Sequence, residues 1–186
     1  MEPKTGGYVV DPRDHRKSRI VAFYKGEDVH PLKYTIQEMW TWEGKQIEGI
    51  HSFIQWLFPL DEPSTNNVKA PILSEAEIEE FRTNSTVREN MMKSLRMMLR
   101  YYGFTFAPDG KSIQKSSDFE ARSGWIYPTN HNYLRITRIL KSLMLSGFDA
   151  EARMLFAALR DVYGTHRRYI GPVTFKFWCD AVGEHG

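Results

Sequence analysis

The stretch from residue 129 to residue 147, TNHNYLRITRILKSLMLSG, constrains the fold more than any other part of this chain. At about 100° per residue, Tyr133, Ile136, Ile139, Leu140, Leu143 and Met144 fall on one broad apolar arc, the pattern of a helix laid against a core. His131, Arg135, Arg138 and Ser142 fall on a separate narrow stripe, with Ile139 bordering it on one side and Leu134 and Leu145 on the other. Cationic side chains between apolar borders are expected to be half-enclosed. Thr129 or Asn130 can cap the start, and Gly147 can close the end in the left-handed conformation. Such a helix needs apolar partners along its arc and some group to answer its arginines.

Residues 45–58 read as a second, largely buried helix. Ile47, Ile50, Ile54, Leu57 and Phe58 share a face, Phe53 and Trp56 extend it, and Lys45, Glu48, Ser52 and Gln55 leave only a thin polar strip. His51 stands at the edge of the apolar face, one turn before Gln55, and Pro59 closes the element. Thr35 and Glu38 open a short preceding helix with a capping box, and Gly44 is expected to interrupt it. Residues 60–71 are loop by composition. Ser74 with Glu77, and Thr86 with Glu89, repeat the capping-box pattern. Val87, Met91, Leu95, Met98, Leu99 and Tyr102 then recur at helical spacing up to Gly103, with the methionines as core filler.

The segment 104–128 carries a small hairpin around Pro108-Asp109-Gly110, a helical turn over 117–122, and Trp125, Tyr127 and Pro128 as a roof over the polar stripe. Past Gly147, Asp149 can cap a helix that buries Leu155, Ala158, Leu159 and Val162 and ends near Gly164, with residues 165–169 as a basic connector. Pro172 opens a last helix burying Phe175, Trp178, Cys179 and Val182. At the other end, Ile20–Tyr24 reads as a short apolar strap on the core, followed by a turn over 25–28. The expectation is an all-α fold: an irregular N-terminal arm over residues 1–19, then a single compact domain over 20–186. It has about seven helices, two of them largely buried, and a long loop holding the hairpin.

Composition excludes several classes. Hydrophobic residues at 41% rule out a disordered chain, and 186 residues suit one domain with a real core. A formal net charge of +2 is no nucleic-acid footprint, which leaves binding through Arg135, Arg138, Lys141 and Arg167-Arg168 as the weakest reading. The single Cys179 cannot form an internal disulfide, fits a reducing compartment, and reads as a buried, inert thiol beside Trp178. No apolar run reaches the roughly 20 residues of a membrane span, and the first residues lack a signal-peptide core, so a soluble, intracellular, cytoplasmic protein is expected. No metal-binding or phosphate-loop motif occurs, and neither a metal nor a cofactor is expected.

Three segments resemble the opioid growth factor receptor conserved-region family. These are HSFIQWLFPL at 51–60 with Pro63-Ser64 and APILS at 70–74, MMLRYYG at 97–103, and HNYLRITRIL at 131–140. FYKG at 23–26 and Phe177-Trp178 through Ala181 are weaker echoes at the ends. The resemblance implies an opioid-peptide (enkephalin-type) binding domain linked to growth control in animals. The repeats and long tail associated with the named receptor are not in this sequence, so a stand-alone domain is expected.

The candidate site gathers the polar residues of those segments with two tryptophans: His51, Gln55, Trp56, Trp125, His131, Asn132, Arg135 and Arg138. Asn132 and His51 also have ordinary structural roles open to them, a cap and a hydrogen-bonded core histidine. Arginine forks between apolar borders suit a small anionic molecule or a short peptide bearing a carboxylate. The other open reading is a small cofactor-independent enzyme, with His51 or His131 as acid and base and Arg135 or Arg138 stabilising negative charge. What separates the two is whether both imidazoles open into one pocket.

Overall fold

The computed structural model describes residues 19–65 and 67–184. Residues 1–18 of the arm expected over 1–19, and His185, lie outside the described residues, while Arg19 already belongs to a helix. The chain is all-α apart from one two-stranded hairpin, with ten α-helices among the described residues where the sequence pattern points to about seven.

The centre is built on two long amphipathic helices. Helix α6, Ser85–Tyr102, buries Val87, Met91, Leu95, Met97, Met98, Leu99 and Tyr102. Its N-cap is Asn84, whose side chain accepts from the Thr86 and Val87 amides, and not the Thr86–Glu89 pair. Gly103 closes it at φ 79°, and a Cβ there would stand 3.0 Å from Phe119 Cα, so glycine is required by both backbone and space. Helix α8, Asn132–Leu145, buries Tyr133, Ile136, Ile139, Leu140 and Leu143 of the expected arc, with Met144 half-buried at its end. It packs on α9, Asp149–Ile170, and α10, Pro172–Ala181, while α6 packs on α1, Arg19–Lys25, and α5, Glu75–Thr83.

Four elements differ from the sequence reading. The apolar strap is helix α1, with Ile20, Val21, Phe23 and Tyr24 buried. Asn90 donates to the Tyr24 carbonyl at 2.7 Å, and the Tyr24 hydroxyl donates to the Leu57 carbonyl, so α6 and the 53–57 segment satisfy a helix too short to stand alone. Gly44 begins a helix and does not interrupt one: α2 is Ile36–Trp40, and α3 is Gly44–Gly49. The single helix expected over 45–58 is two, α3 and α4, Phe53–Leu57, because Ile50 after Gly49 turns extended (φ −112°, ψ 100°). Beyond Gly164, α9 runs on to Ile170 with one non-helical residue, His166, so the basic connector is its last turns.

Other expectations hold. Capping boxes open α2 and α5, and β1, Phe104–Phe106, pairs antiparallel with β2, Ile113–Lys115. Helix α7, Phe119–Arg122, is the expected turn, and Trp178, Cys179 and Val182 are buried while Phe175 is half-buried. No helix among the described residues is long and apolar enough to cross a membrane.

One core group carries a pH signature. His30 is buried against Trp56, its Nδ1 accepts from the Leu32 amide at 3.1 Å, and its Nε2 has no hydrogen-bond partner among the described residues. Burial holds its pKa below the ordinary histidine value, opposed by the nearby Ser52 backbone and aided by Arg19. A depressed folded-state pKa means that the unfolded chain takes up the proton first. Stability therefore falls as pH drops below the unfolded value of about 6.5, until the folded pKa is passed. Denaturant melts of His30→Gln between neutral and mildly acid pH should show a flatter dependence than wild type. At neutral pH, Asn84→Ala should lose about 1 kcal/mol and Thr86→Ala much less, which equilibrium unfolding resolves.

Candidate functional site

The site starts at the entry to α8. Asn130 Oδ1 accepts from the Asn132 amide at 2.8 Å, an Asx turn that opens the helix with Thr129 in the left-handed region at φ 61°. Neither residue expected to cap the helix is its N-cap: that position is His131, which makes no side-chain cap bond, and Asn130 holds the entry from one residue earlier. Asn132, 1% exposed, is freed to be a hub. Its Nδ2 donates to Glu48 Oε1 at 3.1 Å, and its Oδ1 accepts from Tyr102 Oη at 3.2 Å and from Arg135 Nη1 at 3.1 Å.

Arg135 is 5% exposed, lies over the Phe53 ring, and points Nη2 at His51 Nδ1, 3.4 Å away. Guanidinium only donates, so this contact sets His51 Nδ1 as the acceptor and leaves the proton of the neutral ring on Nε2. Burial pushes the Arg135 guanidinium below its ordinary pKa, against the pull of Tyr102 and Glu48. His131 Nε2 meets Glu48 Oε2 at 3.0 Å, and the His51 and His131 rings stand edge to face with centroids 5.7 Å apart. Desolvation and Arg135 hold the His131 pKa down, while Glu48 pulls it up. The Tyr101 hydroxyl also donates to Glu48 Oε1.

Both imidazoles open into one cleft of about 880 Å³. Its floor is the α8 stripe with Leu134, Arg135, Arg138 and Lys141; Ile54 and Gln55 of α4 form one wall, and Leu60 to Thr65 the other. Gln55 is buried with its side-chain amide against the carbonyls of His51 and Ser52, and only the orientation that turns the nitrogen to them (3.2 and 2.9 Å) pairs a donor with these acceptors. Lys141 pairs across the cleft with Glu62 at 2.8 Å. Arg138 is half-buried, and its Nε and Nη2 atoms are buried without a hydrogen-bond partner among the described residues. Desolvation lowers its pKa, and Glu62 is the charge that opposes this. The same two atoms form the side-on fork that takes two oxygens of a carboxylate or phosphate.

Of the candidate residues, the structure brings His51, Gln55, His131, Arg135 and Arg138 to the cleft, with Asn132 directly behind it. Two tryptophans lie elsewhere. Trp56 faces the core, edge-on to Phe23 and His30, because the break before α4 rotates that helix independently of α3. Trp125 is buried, donates to the Tyr102 carbonyl at 3.1 Å, and lines a smaller cavity of about 370 Å³ with Tyr127 and Glu48. The segment 125–128 therefore does not roof the stripe; residues 60–65 wall it instead. Ser142 is sealed at 0% exposure on the Pro59 carbonyl and takes no part.

Three residues escaped the sequence reading. Glu48 and Glu62 look like ordinary surface carboxylates in their own segments, since their partners are 83 and 79 residues away by number along the chain, at His131 and Lys141. Lys141, which the helical pattern of residues 129–147 sets off the arginine stripe, reaches the same cleft because its long stem crosses to Glu62. No group of three or more metal-ligating side chains stands together among the described residues.

The network makes a spectroscopic prediction. Glu48→Gln keeps the shape and removes the charge that pulls the His131 pKa up, so the His131 ring titration in NMR should move further to acid.

Residues 13–159 match the family model described as the Opioid growth factor receptor (OGFr) conserved region. The opioid growth factor receptor of Rattus norvegicus is 38% identical over 134 residues, covering 69% of this chain and 23% of that protein. Opioid growth factor receptor-like protein 1 of Mus musculus is 34% identical over 134 residues, covering 70% of this chain and 29% of that protein. The opioid growth factor receptor of Homo sapiens is 37% identical over 115 residues, covering 61% and 17%. The chain thus spans less than a third of the length of these relatives. No solved structure matches.

Proposed function

This chain belongs to the opioid growth factor receptor conserved-region family, and from that premise we propose that it is a binding domain for a small anionic ligand or the carboxylate of a short peptide. The ligand docks in the cleft over α8 with its anionic group on the Nε–Nη2 edge of Arg138. The observation that carries this reading is the unanswered fork itself. A buried guanidinium without an acceptor is strongly unfavourable, and evolution tolerates such a group where a ligand completes it. Apolar borders at Ile54, Leu60 and Leu134 exclude water around the pair and supply contact for the rest of the ligand. The relatives' names, which describe a receptor for an opioid growth factor, favour a peptide-sized partner in general.

A second reading is favoured by one specific feature, the two histidines sharing this cleft with Glu48 behind His131. A carboxylate–imidazole pair beside a second imidazole has the composition of an acid–base couple, with Arg135 and Arg138 near developing negative charge. Turnover that disappears in both His51→Ala and His131→Ala, with ligand binding retained, would establish it. Loss of binding alone would leave the first reading.

Arg138→Met is the decisive variant. With no protein carboxylate left unpaired, it should fold at least as well as wild type, gaining about 1 kcal/mol from removal of an uncompensated charge, while losing anion binding. Arg138→Ala also loses stem packing and should be about 1–2 kcal/mol less stable than Arg138→Met. Thermal melts with saturating ligand read both effects, since a ligand at 100 times its Kd adds about 2.7 kcal/mol to wild type. Destabilisation of Arg138→Met by about 3 kcal/mol or more would mean a protein partner for the fork and would sink the reading.

A further inference from the structure

The reading above leaves the charge of the ligand open. Resting on it, we propose that the cleft selects a dianion, a phosphate monoester with an apolar substituent, and that Glu62 is the built-in competitor such a ligand displaces.

The cations of the cleft are not equivalent. Arg135 is engaged by Asn132 and His51 and lies in the field of Glu48, so it needs no ligand. Arg138 and Lys141 sit one turn apart on the same face of α8, and both line the cleft. Among the described residues they share a single carboxylate: Glu62, hydrogen-bonded to Lys141 and reaching Arg138 only through space. A ligand that engages both cations must displace Glu62 from Lys141. A monocarboxylate would then exchange one carboxylate for another and leave one cation unanswered. A phosphate monoester dianion answers both, with two oxygens on the Arg138 fork and a third on Lys141.

Displacement of Glu62 also bears on access. The Arg138 Nε and Nη2 atoms are covered, so a ligand reaches them only if the side chain or the neighbouring wall shifts. The wall from Leu60 to Thr65 is tied to α8 by the Lys141–Glu62 pair, whose two side chains are both about half exposed (44% and 55%). An exposed pair of this kind contributes little to stability, and an incoming dianion exchanges with it readily. The apolar part of the ligand follows from Leu134, 56% exposed at the cleft floor, and from Ile54 and Leu60 on the walls. A volume of about 880 Å³ exceeds what inorganic phosphate fills and suits an aryl ester.

Calorimetric titration of the chain with phenyl phosphate, phenylacetate and inorganic phosphate tests the proposal. Phenyl phosphate should bind roughly tenfold more tightly than either, the ratio given by one additional charged contact or by the apolar group. Lys141→Met should bring phenyl phosphate down to the level of phenylacetate, and Glu62→Gln should tighten phenyl phosphate severalfold. Both positions are exposed, and a melting curve for each variant verifies its folding. A blocked phosphotyrosine tripeptide distinguishes the source: tighter binding than phenyl phosphate marks a phosphorylated side chain, and equal or weaker binding a free ester. Equal affinity for phenylacetate and phenyl phosphate, or indifference to Glu62→Gln, would overturn the dianion inference while the anion-binding reading stands. If Arg138→Met leaves phenyl phosphate binding unchanged, the site is elsewhere and both fail.

Discussion

A guanidinium taken out of water must be answered by fixed acceptors, and Arg135 is where this chain meets that demand. One acceptor is local and one distant: Asn132 on its own helix and His51 in the break between α3 and α4, with the Glu48 carboxylate behind Asn132. Tyr102 near the end of α6 joins through the same Asn132 oxygen. Four elements are thus held in register by one hydrogen-bonded cluster at the edge of an otherwise apolar core. Replacing any member leaves its neighbours with unmet hydrogen bonds in a low-dielectric setting, where that loss is larger than in water. Specificity of assembly follows from the polar cluster, and most of the favourable free energy from the apolar arcs of α6 and α8.

Arg138 lies one turn further along the same helix, is also desolvated, and has no such cluster among the described residues. For both arginines burial lowers the pKa. What differs is the surroundings: Arg135 faces side chains from α3 and the α3–α4 break, whereas Arg138 faces a cleft whose far wall is loop. Two like groups on one surface, one satisfied from within and one not, separate the structural half of the stripe from the half available for binding. The boundary coincides with the point where α4 gives way to Pro59 and the chain leaves regular structure.

The long periodic elements were legible because their signal is local. The arcs of α6 and α8, the capping boxes at Thr35 and Ser74, the hairpin around Gly110 and the left-handed closures at Gly103 and Gly147 all depend on residues within a few positions of one another. The misread elements are those decided by distant contacts. Residues 45–58 carry a continuous helical pattern, yet the chain turns at Ile50, and the Gln55 side chain lies against the carbonyls of His51 and Ser52. Residues 19–25 are too short to hold a helix by propensity, and Asn90 and Leu57 complete it. At the site, the stripe itself was visible in the pattern of α8. Glu48, Glu62 and the true cleft wall were not, since a carboxylate shows its role only when its partner is brought to it.

The two carboxylates of the site are held in opposite ways, and that difference decides which can move. Glu48 accepts from Tyr101, Asn132 and His131 together, so releasing it would strand several donors at once. Among the described residues Glu62 has one partner, Lys141, in an exposed pair whose net contribution to stability is at most about 1 kcal/mol. The neck of its loop is fixed independently, by the Leu73 amide on the Leu60 carbonyl at 2.9 Å and by the bridge between Leu60 and Ile72. Glu62 can therefore leave Lys141 without loosening the anchor at Leu60 or the core beneath it. A cleft with one wall held by several hydrogen bonds, one wall tied to α8 by an exposed ion pair beyond a fixed neck, and an unanswered fork on its floor can admit a ligand at small conformational cost. The histidine–carboxylate cluster on the hydrogen-bonded side keeps its geometry as it does so.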